Sequence, residues 1–389
     1  MRRSYKFRAY PTARQEIRAR RLLADHCDLY NAALQERRDA YRHSETKIRY
    51  GEQSGQLTDI RRADPDGQGA HSFTSQQQTL RRLDNVFTAF YKRAQNGQAG
   101  YPRFKPRSRF DQVLFVAGDG SKWEPATGDW AHARLQAVGN IKVKQHRPVR
   151  GTVKTIQLKR EHRRWYIIVV ADHEPTPLPE TGRQVGIDVG VARFYTTSDG
   201  EIVDNPRFLE QAAEQITELQ RRKARCKRGS GNRRRARQAL AKAWRKVGNQ
   251  RRDFHHRHAR RLVNGCDAIA VEKLNVAGMT KRPQPKPDDA GGYAPNGAAA
   301  KSGLNKSILD AGWSQFVGIL AAKAEEAGRR VVAVNAAFTS IDCHRCGTRC
   351  TRPRQDTVVC PRCGEIDADL NGARNVYTRA GLGSGQAAA

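Results

Sequence analysis

Near the C-terminus four cysteines follow the spacing Cys343-x2-Cys346-x13-Cys360-x2-Cys363. Two C-x-x-C pairs on tight turns supply the tetrahedral sulfur set that Zn²⁺ takes in closed structural sites, and short knuckles bring the ligands together with little help from the rest of a fold. Four protein ligands leave no open coordination position, so such a metal would hold shape and would not catalyse. Free or disulfide-paired thiols are the alternative. Cys350, inside the same stretch, is a bystander in the metal reading, and Cys27, Cys226 and Cys266 are scattered. A second group is acidic. Asp188 stands in GIDVG, inside an otherwise apolar strand, where a carboxylate needs a partner to offset its burial. Glu272 closes AIAVE in the same way, and Asp367 and Asp369 lie in DADLNGARN at the start of a helical pattern. Alone, each acid reads as a cap or an ion-pair member. Together, three carboxylates from separate segments of one α/β domain are what two Mg²⁺ ions about 3.5–4 Å apart require to activate water on a phosphodiester and stabilise its leaving oxygen.

The elements that must position these groups change character along the chain. YKFRAYP alternates like a short strand and stops at Pro11; Leu22, Leu23, Cys27, Tyr30 and Leu34, and later Leu80, Leu83, Phe87 and Phe90, then recur at helical spacing. From about Gly100 the chain turns β-rich. DQVLFV, GNIKVK, GTVKTIQLKR and WYIIVVAD read as strands, with Val153–Arg160 and Trp165–Asp172 as a hairpin. HEPTPLPETG is the domain boundary. Beyond it QVGIDVG, ARFYTTSDG, CDAIAVEKL and RRVVAVN are strands alternating with helical stretches, which argues for an α/β domain. The 280–304 stretch reads as a Pro/Gly/Ala loop without periodicity, and Asn305 as the cap of the helix after it.

Charge narrows the partners. The 389 residues carry 71 Lys+Arg against 39 Asp+Glu, a net charge of +32, which demands an anionic partner and suits a ribosomal protein, a histone-like protein or a nuclease. No apolar run is long enough for a membrane span, and the basic start has no hydrophobic run behind it to make a secretory signal, so the expected setting is the cytoplasm, at the nucleoid. Between Arg221 and Arg261 there are 18 Lys/Arg and one acid. Such a run can be a solvated helix face, but its self-repulsion is relieved by a polyanion that sheds its own counterions. Arg233, Arg234, Arg235 and Arg251 are therefore expected nucleic-acid contacts. In GYPRFKPRSRF, Arg103, Phe104 and Lys105 mix stacking with charge, as suits RNA. His255, His256 and His258 have no acid or thiol at metal spacing and read as phosphate-facing or exposed.

GIDVGVARFYTTSDG, VEKLNVAGM, LNKSILDAGWSQF, CHRCG…CPRCG and DADLNGARNV, in that order, resemble TnpB, the RNA-guided nuclease family of insertion sequences and relative of type V CRISPR effectors. YKFRAYPT, LRRLDNVFTAFYKR, GYPRFK and the basic segment extend the likeness over most of the chain. The resemblance implies a multi-domain α+β fold: a wedge β-barrel over residues 1–10 and 113–180, a helical recognition domain at 11–112, an RNase H-like RuvC domain at 181–340 and 364–380, a zinc-ribbon insert at 341–363 and a flexible tail at 381–389. It places Asp188, Glu272 and Asp369 at the catalytic, Mg²⁺-binding positions, with Asp367 a neighbour, and the four cysteines on zinc. It puts Tyr50 and Gln77 near a surface that reads a short duplex motif. It also implies a guide RNA from the transposon end, target double-stranded DNA and a monomer with its RNA, base pairing reading sequence while the protein reads shape and motif. A compact type V CRISPR effector, a guided DNA-binding regulator and a transposase are the alternatives. Ala337-Phe338 and Asn371-Gly372-Ala373 depart from the usual family pattern without removing a ligand.

Overall fold

Tyr5, Phe7 and Ala9 alternate with basic residues in the first strand, β1 (Arg2–Tyr10), so one face enters a core and the other meets solvent. In this computed structural model, which describes residues 1–98, 100–126, 128–289 and 291–383, the chain divides into two units between Glu174 and Pro175, inside the Pro-rich boundary.

In the first unit, Thr12 and Gln15 form a capping box that starts α1 (Ala13–Ser44). Next come α2 (Tyr50–Ala63) and α3 (Phe73–Gln95), the latter capped by Ser72. Six strands complete the unit: β2 (Gln112–Val116), β3 (Ser121–Glu124), β4 (Trp130–Leu135), β5 (Gly139–Lys144), β6 (Thr152–Glu161) and β7 (Arg164–Asp172). The sheet runs β2-β6-β7-β1-β5-β4-β3 with every pairing antiparallel. The expected hairpin is β6 and β7. Leu22, Tyr30 and Leu34 of α1 and Leu80 and Leu83 of α3 share one core with Phe7, Ile156 and Ile167 of the sheet. Sequence reading missed α2, whose two glycines and single buried leucine make a faint pattern, and the short strands β3 and β4.

The second unit contains β8 (Gln184–Val189), β9 (Arg193–Thr197), β10 (Ile202–Asp204), α4 (Phe208–Gln211), α5 (Ala213–Arg225) and α6 (Gly231–Gly265). It continues through β11 (Ala268–Glu272), α7 (Val276–Met279), the short pair β12 (Lys286–Pro287) and β13 (Tyr293–Ala294), α8 (Ala298–Ala311), α9 (Trp313–Glu326) and β14 (Arg330–Val334). A three-stranded ribbon follows, β15 (Thr351–Arg354), β16 (Thr357–Cys360) and β17 (Gly364–Asp367), and then α10 (Ala368–Arg379). The main sheet runs β10-β9-β8-β11-β14, with β8, β11 and β14 parallel and β9 and β10 antiparallel. Ile187, Phe194, Ile269, Val271, Phe316 and Leu320 build its core. Among the described residues no helix is long and apolar enough to cross a membrane.

Three expectations need correction. The 280–304 stretch is not unstructured throughout: it holds the β12–β13 pair and the first turns of α8. Asn305 lies within α8, where its side chain donates to the Thr280 carbonyl, and the helix yields to α9 at Gly312, whose φ of 69° breaks the α geometry. His255 is fully buried, stacked on Phe194 with Nε2 donating to the Ala311 carbonyl, because it falls on the core face of α6. Of the expected tail, residues 384–389 lie outside the described residues, and Leu382 is buried beside Val376.

Candidate active site and metal centre

The parallel register decides the geometry of the acids. Val271 pairs with Ile187, so one step further Glu272 stands level with Asp188 on the neighbouring strand, about 4.8 Å away in the pairing direction. Helix α10 brings Asp369 to the same place, and two glycines allow its close approach. A Cβ on Gly186 would lie 2.4 Å from the Ala373 carbonyl oxygen, and one on Gly372 would lie 2.7 Å from Oδ2 of Asp188. Among the described residues the three carboxylates do not all come within 4.8 Å of one another.

Burial is the main force on these groups. It raises Asp188 well above the ordinary carboxylate range, with Glu272 and Asp369 adding repulsion and Arg352 opposing. Glu272 is raised by burial against the pull of the Thr339 hydroxyl and Arg379, and Asp369 by burial against Arg193. Asp367 differs. Burial opposes ionisation there too, but the Leu370 N–H and Arg193 prevail and lower it. Its Oδ1 accepts from the N–H groups of Asp369 (3.0 Å) and Leu370 (2.9 Å) as the cap of α10, and its Oδ2 lies 2.8 Å from Arg193. Arg193 is 3.5 Å from Asp369. A divalent cation would let these three half-buried carboxylates ionise together.

The acids are tied to the ribbon by amides. Asn371 donates to the Asp342 carbonyl (2.8 Å) and accepts from the His344 N–H (2.9 Å); Asn375 donates to the carbonyls of Thr339 (2.8 Å) and Asp342 (2.6 Å). The helix that carries Asp369 is thus fastened to the knuckle that carries Cys343. Sequence reading missed Thr339, Arg193 and the two asparagines. The position of Thr339 directly after Ala337-Phe338, where the chain departs from the family pattern, was the one available hint.

In that knuckle one sulfur from each of Cys343, Cys346, Cys360 and Cys363 lies within 4.8 Å of the others. Tetrahedral Zn–S bonds of about 2.3 Å put sulfurs roughly 3.8 Å apart, so the set fits zinc. The Thr348 hydroxyl and N–H draw Cys346 down to about 6, while the neighbouring Cys346 thiol and burial push Cys363 up to about 12. Cys350 is buried beside the four and outside the group.

The expected nucleic-acid contacts divide. Arg234 and Arg235 are exposed on α6, and Arg103 and Phe104 on their loop. Arg233 instead donates to the carbonyls of Lys223 and Cys226, and Arg251 is paired with Asp310 at 2.5 Å. Lys105 is clamped by Asn31 through both backbone groups, with Nζ 4.5 Å over the Tyr30 ring. Tyr50 accepts from Arg81, and Gln77 donates to Ser54.

Known proteins resemble this chain over most of its length. The family model OrfB_IS605, described as "Probable transposase", matches residues 167–283, and a "Cas12f1-like, TNB domain" matches 313–376. A "Helix-turn-helix domain" matches 1–46, although that segment here is a strand and one long helix. A protein of Escherichia coli strain K12 named "Putative RNA-guided DNA endonuclease InsQ" is 29% identical over 381 residues, spanning 96% of this chain and 91% of its own. A relative of the same description without the last word, from Streptomyces pristinaespiralis, is 28% identical over 98% of this chain and 90% of its own. The fold matches the protein in a Cas12f1–sgRNA–target DNA complex with a TM-score of 0.61 at 13% identity, over 97% of this chain and 98% of that one. Motifs in order, family matches over residues 1–46, 167–283 and 313–376 and relatives aligned over nearly the whole chain point the same way: the chain is similar throughout to the TnpB family.

Proposed function

We propose that this chain is an RNA-guided DNA endonuclease of an IS605-type insertion element, which cuts target DNA beside a short adjacent motif with Asp188, Glu272 and Asp369. The single observation that carries the reading is the level placement of Asp188 and Glu272 on parallel strands, with the helix of Asp369 packed over them. The strand order β10-β9-β8-β11-β14 supports an RNase H-like RuvC domain over 181–340 and 364–380, with 341–363 as its zinc ribbon. The antiparallel sheet supports a wedge domain over 1–10 and 113–180, and the helices between β1 and β2 a recognition domain at 11–112.

Asp188, Glu272 and Asp369 would hold Mg²⁺. When bound, the ions supply an activated water and charge stabilisation for the leaving oxygen. The chain itself does the positioning. Thr339 orients Glu272, and Asp367 caps the helix of Asp369 while holding Arg193. The cysteine set would hold one Zn²⁺ and fix the ribbon against α10. A net charge of +32 suits a monomer wrapped around a guide RNA and a target duplex, at the nucleoid.

The test is cleavage of a plasmid target by protein purified with its RNA. Wild type cuts in Mg²⁺, while Asp188→Ala, Glu272→Ala and Asp369→Ala bind the target and do not cut. Cutting by Asp369→Ala removes that assignment. Wild-type cutting that needs no guide points to a transposase, and guided binding without cutting to a regulator.

A further inference from the structure

A site in the first unit, remote in sequence from the acids, is built for a ligand. Between α1, α3 and the loop after α3 lies a slot of about 250 Å³ walled by Phe87, Phe90, Tyr91, Tyr101 and Tyr41. Its volume is just below the roughly 300–1,000 Å³ of drug-sized pockets, which suits one ring system. Tyr41 and Tyr101 also border an outer cavity of about 770 Å³, whose charged residues are Arg38, Arg42, Arg103 and Glu45. Tyr41 and Tyr101 are 53% and 40% exposed, so both rings are open to solvent at the mouth.

Arg37 forms part of the slot wall, and its side chain is only 5% exposed. Its Nε donates to Gln53 (2.8 Å), its Nη1 to Asp84 (3.0 Å), and the guanidinium sits 5.1 Å over Phe87. Nη2, though buried, has no hydrogen-bond partner among the described residues. A buried donor left unpaired costs free energy, and a turn of the guanidinium toward the slot would offer Nη2 to a ring carbonyl or ring nitrogen seated there.

We propose that this slot takes the base of one unpaired RNA nucleotide, with its phosphates on Arg38, Arg42 and Arg103. The base stacks on Tyr41 and Tyr101, and its edge accepts from Arg37. Glu45 is the one acid at a basic mouth, misplaced for a phosphate but suited to accept a hydrogen bond from a ribose 2′-hydroxyl, which DNA lacks. The site deepens the RNA-guided reading, on which it rests, by naming where a guide nucleotide leaves its helix.

The experiment uses the full chain and a 12-nucleotide oligouridine RNA with a central 4-thiouridine, against the matching DNA with 4-thiothymidine. Crosslinks mapped by peptide mass should fall on the Tyr41 and Tyr101 peptides for RNA. Tyr41→Leu/Tyr101→Leu should weaken RNA binding about tenfold, the scale of one lost base stack, and leave the salt slope unchanged. Arg38→Gln/Arg42→Gln should keep the crosslink and lower the slope of log K against log salt by about 1.4. Glu45→Ala should narrow the preference for RNA over DNA. Crosslinks that survive in the tyrosine variant, or equal yields with DNA, overturn the site. Tyr41→Leu alone, at an exposed position and with its melting temperature checked, guards against misfolding. Because binding is read without cleavage, a wild type that crosslinks as expected but never cuts refutes the nuclease and not the slot.

Discussion

Thr339 donates its hydroxyl hydrogen to Oε1 of Glu272, from a turn that α10 holds through Asn375 on the Thr339 carbonyl and Arg379 on the Ala337 carbonyl. The hydroxyl also faces the Ala336 carbonyl at 3.0 Å, and it has one hydrogen for two acceptors. The two acceptors share that hydrogen, and the bond to Glu272 favours its charged form against the burial that raises its pKa. Thr339→Val should therefore leave RNA binding intact and move the Mg²⁺ dependence of cleavage to higher concentration, lowering the rate about tenfold at limiting metal, since a hydrogen bond to a charged group is worth about 1.5–3 kcal/mol. Thr339→Ser should restore it. A magnesium titration of cleavage reads the result, and an unshifted curve for the valine variant would remove the positioning role.

The neighbouring acids of α10 should separate cleanly. Asp369→Ala should abolish cleavage. Asp367→Ala removes a helix cap worth about 1 kcal/mol and leaves Arg193 free to turn fully to Asp369, so a higher Mg²⁺ requirement and reduced, measurable cleavage are expected. Equal, complete loss in both variants would show that Asp367 is itself a ligand.

Zinc content tests the knuckle. One zinc per chain is expected by elemental analysis for wild type and for Cys350→Ala, and none for Cys343→Ser or Cys360→Ser. Chelation should lower the melting temperature of the second unit, because metal binding and folding of such a ribbon are one equilibrium. Loss of zinc in Cys350→Ala would redraw the ligand set.

Gly186 and Gly372 should respond unequally to alanine. At Gly186 the added carbon meets backbone, the Ala373 carbonyl oxygen at 2.4 Å and the Tyr377 nitrogen at 2.6 Å, so α10 must move off β8. A stability loss of about 1–3 kcal/mol is expected from overpacking, and about a hundredfold loss of cleavage from misplacing Asp369. At Gly372 it meets the side-chain end of Asp188, which can swing, so the stability loss should be smaller, while cleavage should fall as steeply because the displaced group is itself an expected metal ligand. Denaturation curves and cleavage rates for both variants check the order.

Acid should destabilise the fold through two buried imidazoles. Burial, with His71 adding, pulls His26 down to about 3, and burial pulls His255 down to about 4. His26 donates from Nδ1 to the Leu22 carbonyl (3.0 Å) and faces the Ser75 hydroxyl with Nε2 (2.9 Å), so its neutral form is satisfied. The unfolded groups titrate near 6.5 and bind protons first. Their contribution is fully present above that pH and falls as pH drops toward 4 for His255 and toward 3 for His26, at up to about 1.4 kcal/mol per pH unit for each. Urea denaturation at pH 7, 5.5 and 4.5 should show a shallower decline in His26→Gln and His255→Gln. Parallel curves would refute it.

The chemistry-bearing residue types were legible because each breaks a local rule: Asp188 and Glu272 interrupt apolar strands, and the cysteines repeat at a spacing that only a tight turn needs. Strands with clean alternation, such as β6 and β7, were equally plain. What stayed hidden has no local signature. Helix α2 and strand β3 bury too few apolar side chains to print a period, and β4 alternates on two alanines, whose hydrophobic signal is weak. His255 sits in a basic run that looks solvated, yet its helix position turns it to Phe194.

The chain alone determined its charge, its metal-type ligands and its family likeness, since composition, short spacings and motif order are properties of neighbours along the polymer. Tertiary structure decided the register that sets Glu272 level with Asp188, the helix that lowers Asp369 beside them, the turn that presents Thr339, and the burial that leaves Nη2 of Arg37 without a partner among the described residues. Those relations join segments far apart in sequence. They follow from strand pairing and side-chain packing, which no local pattern encodes.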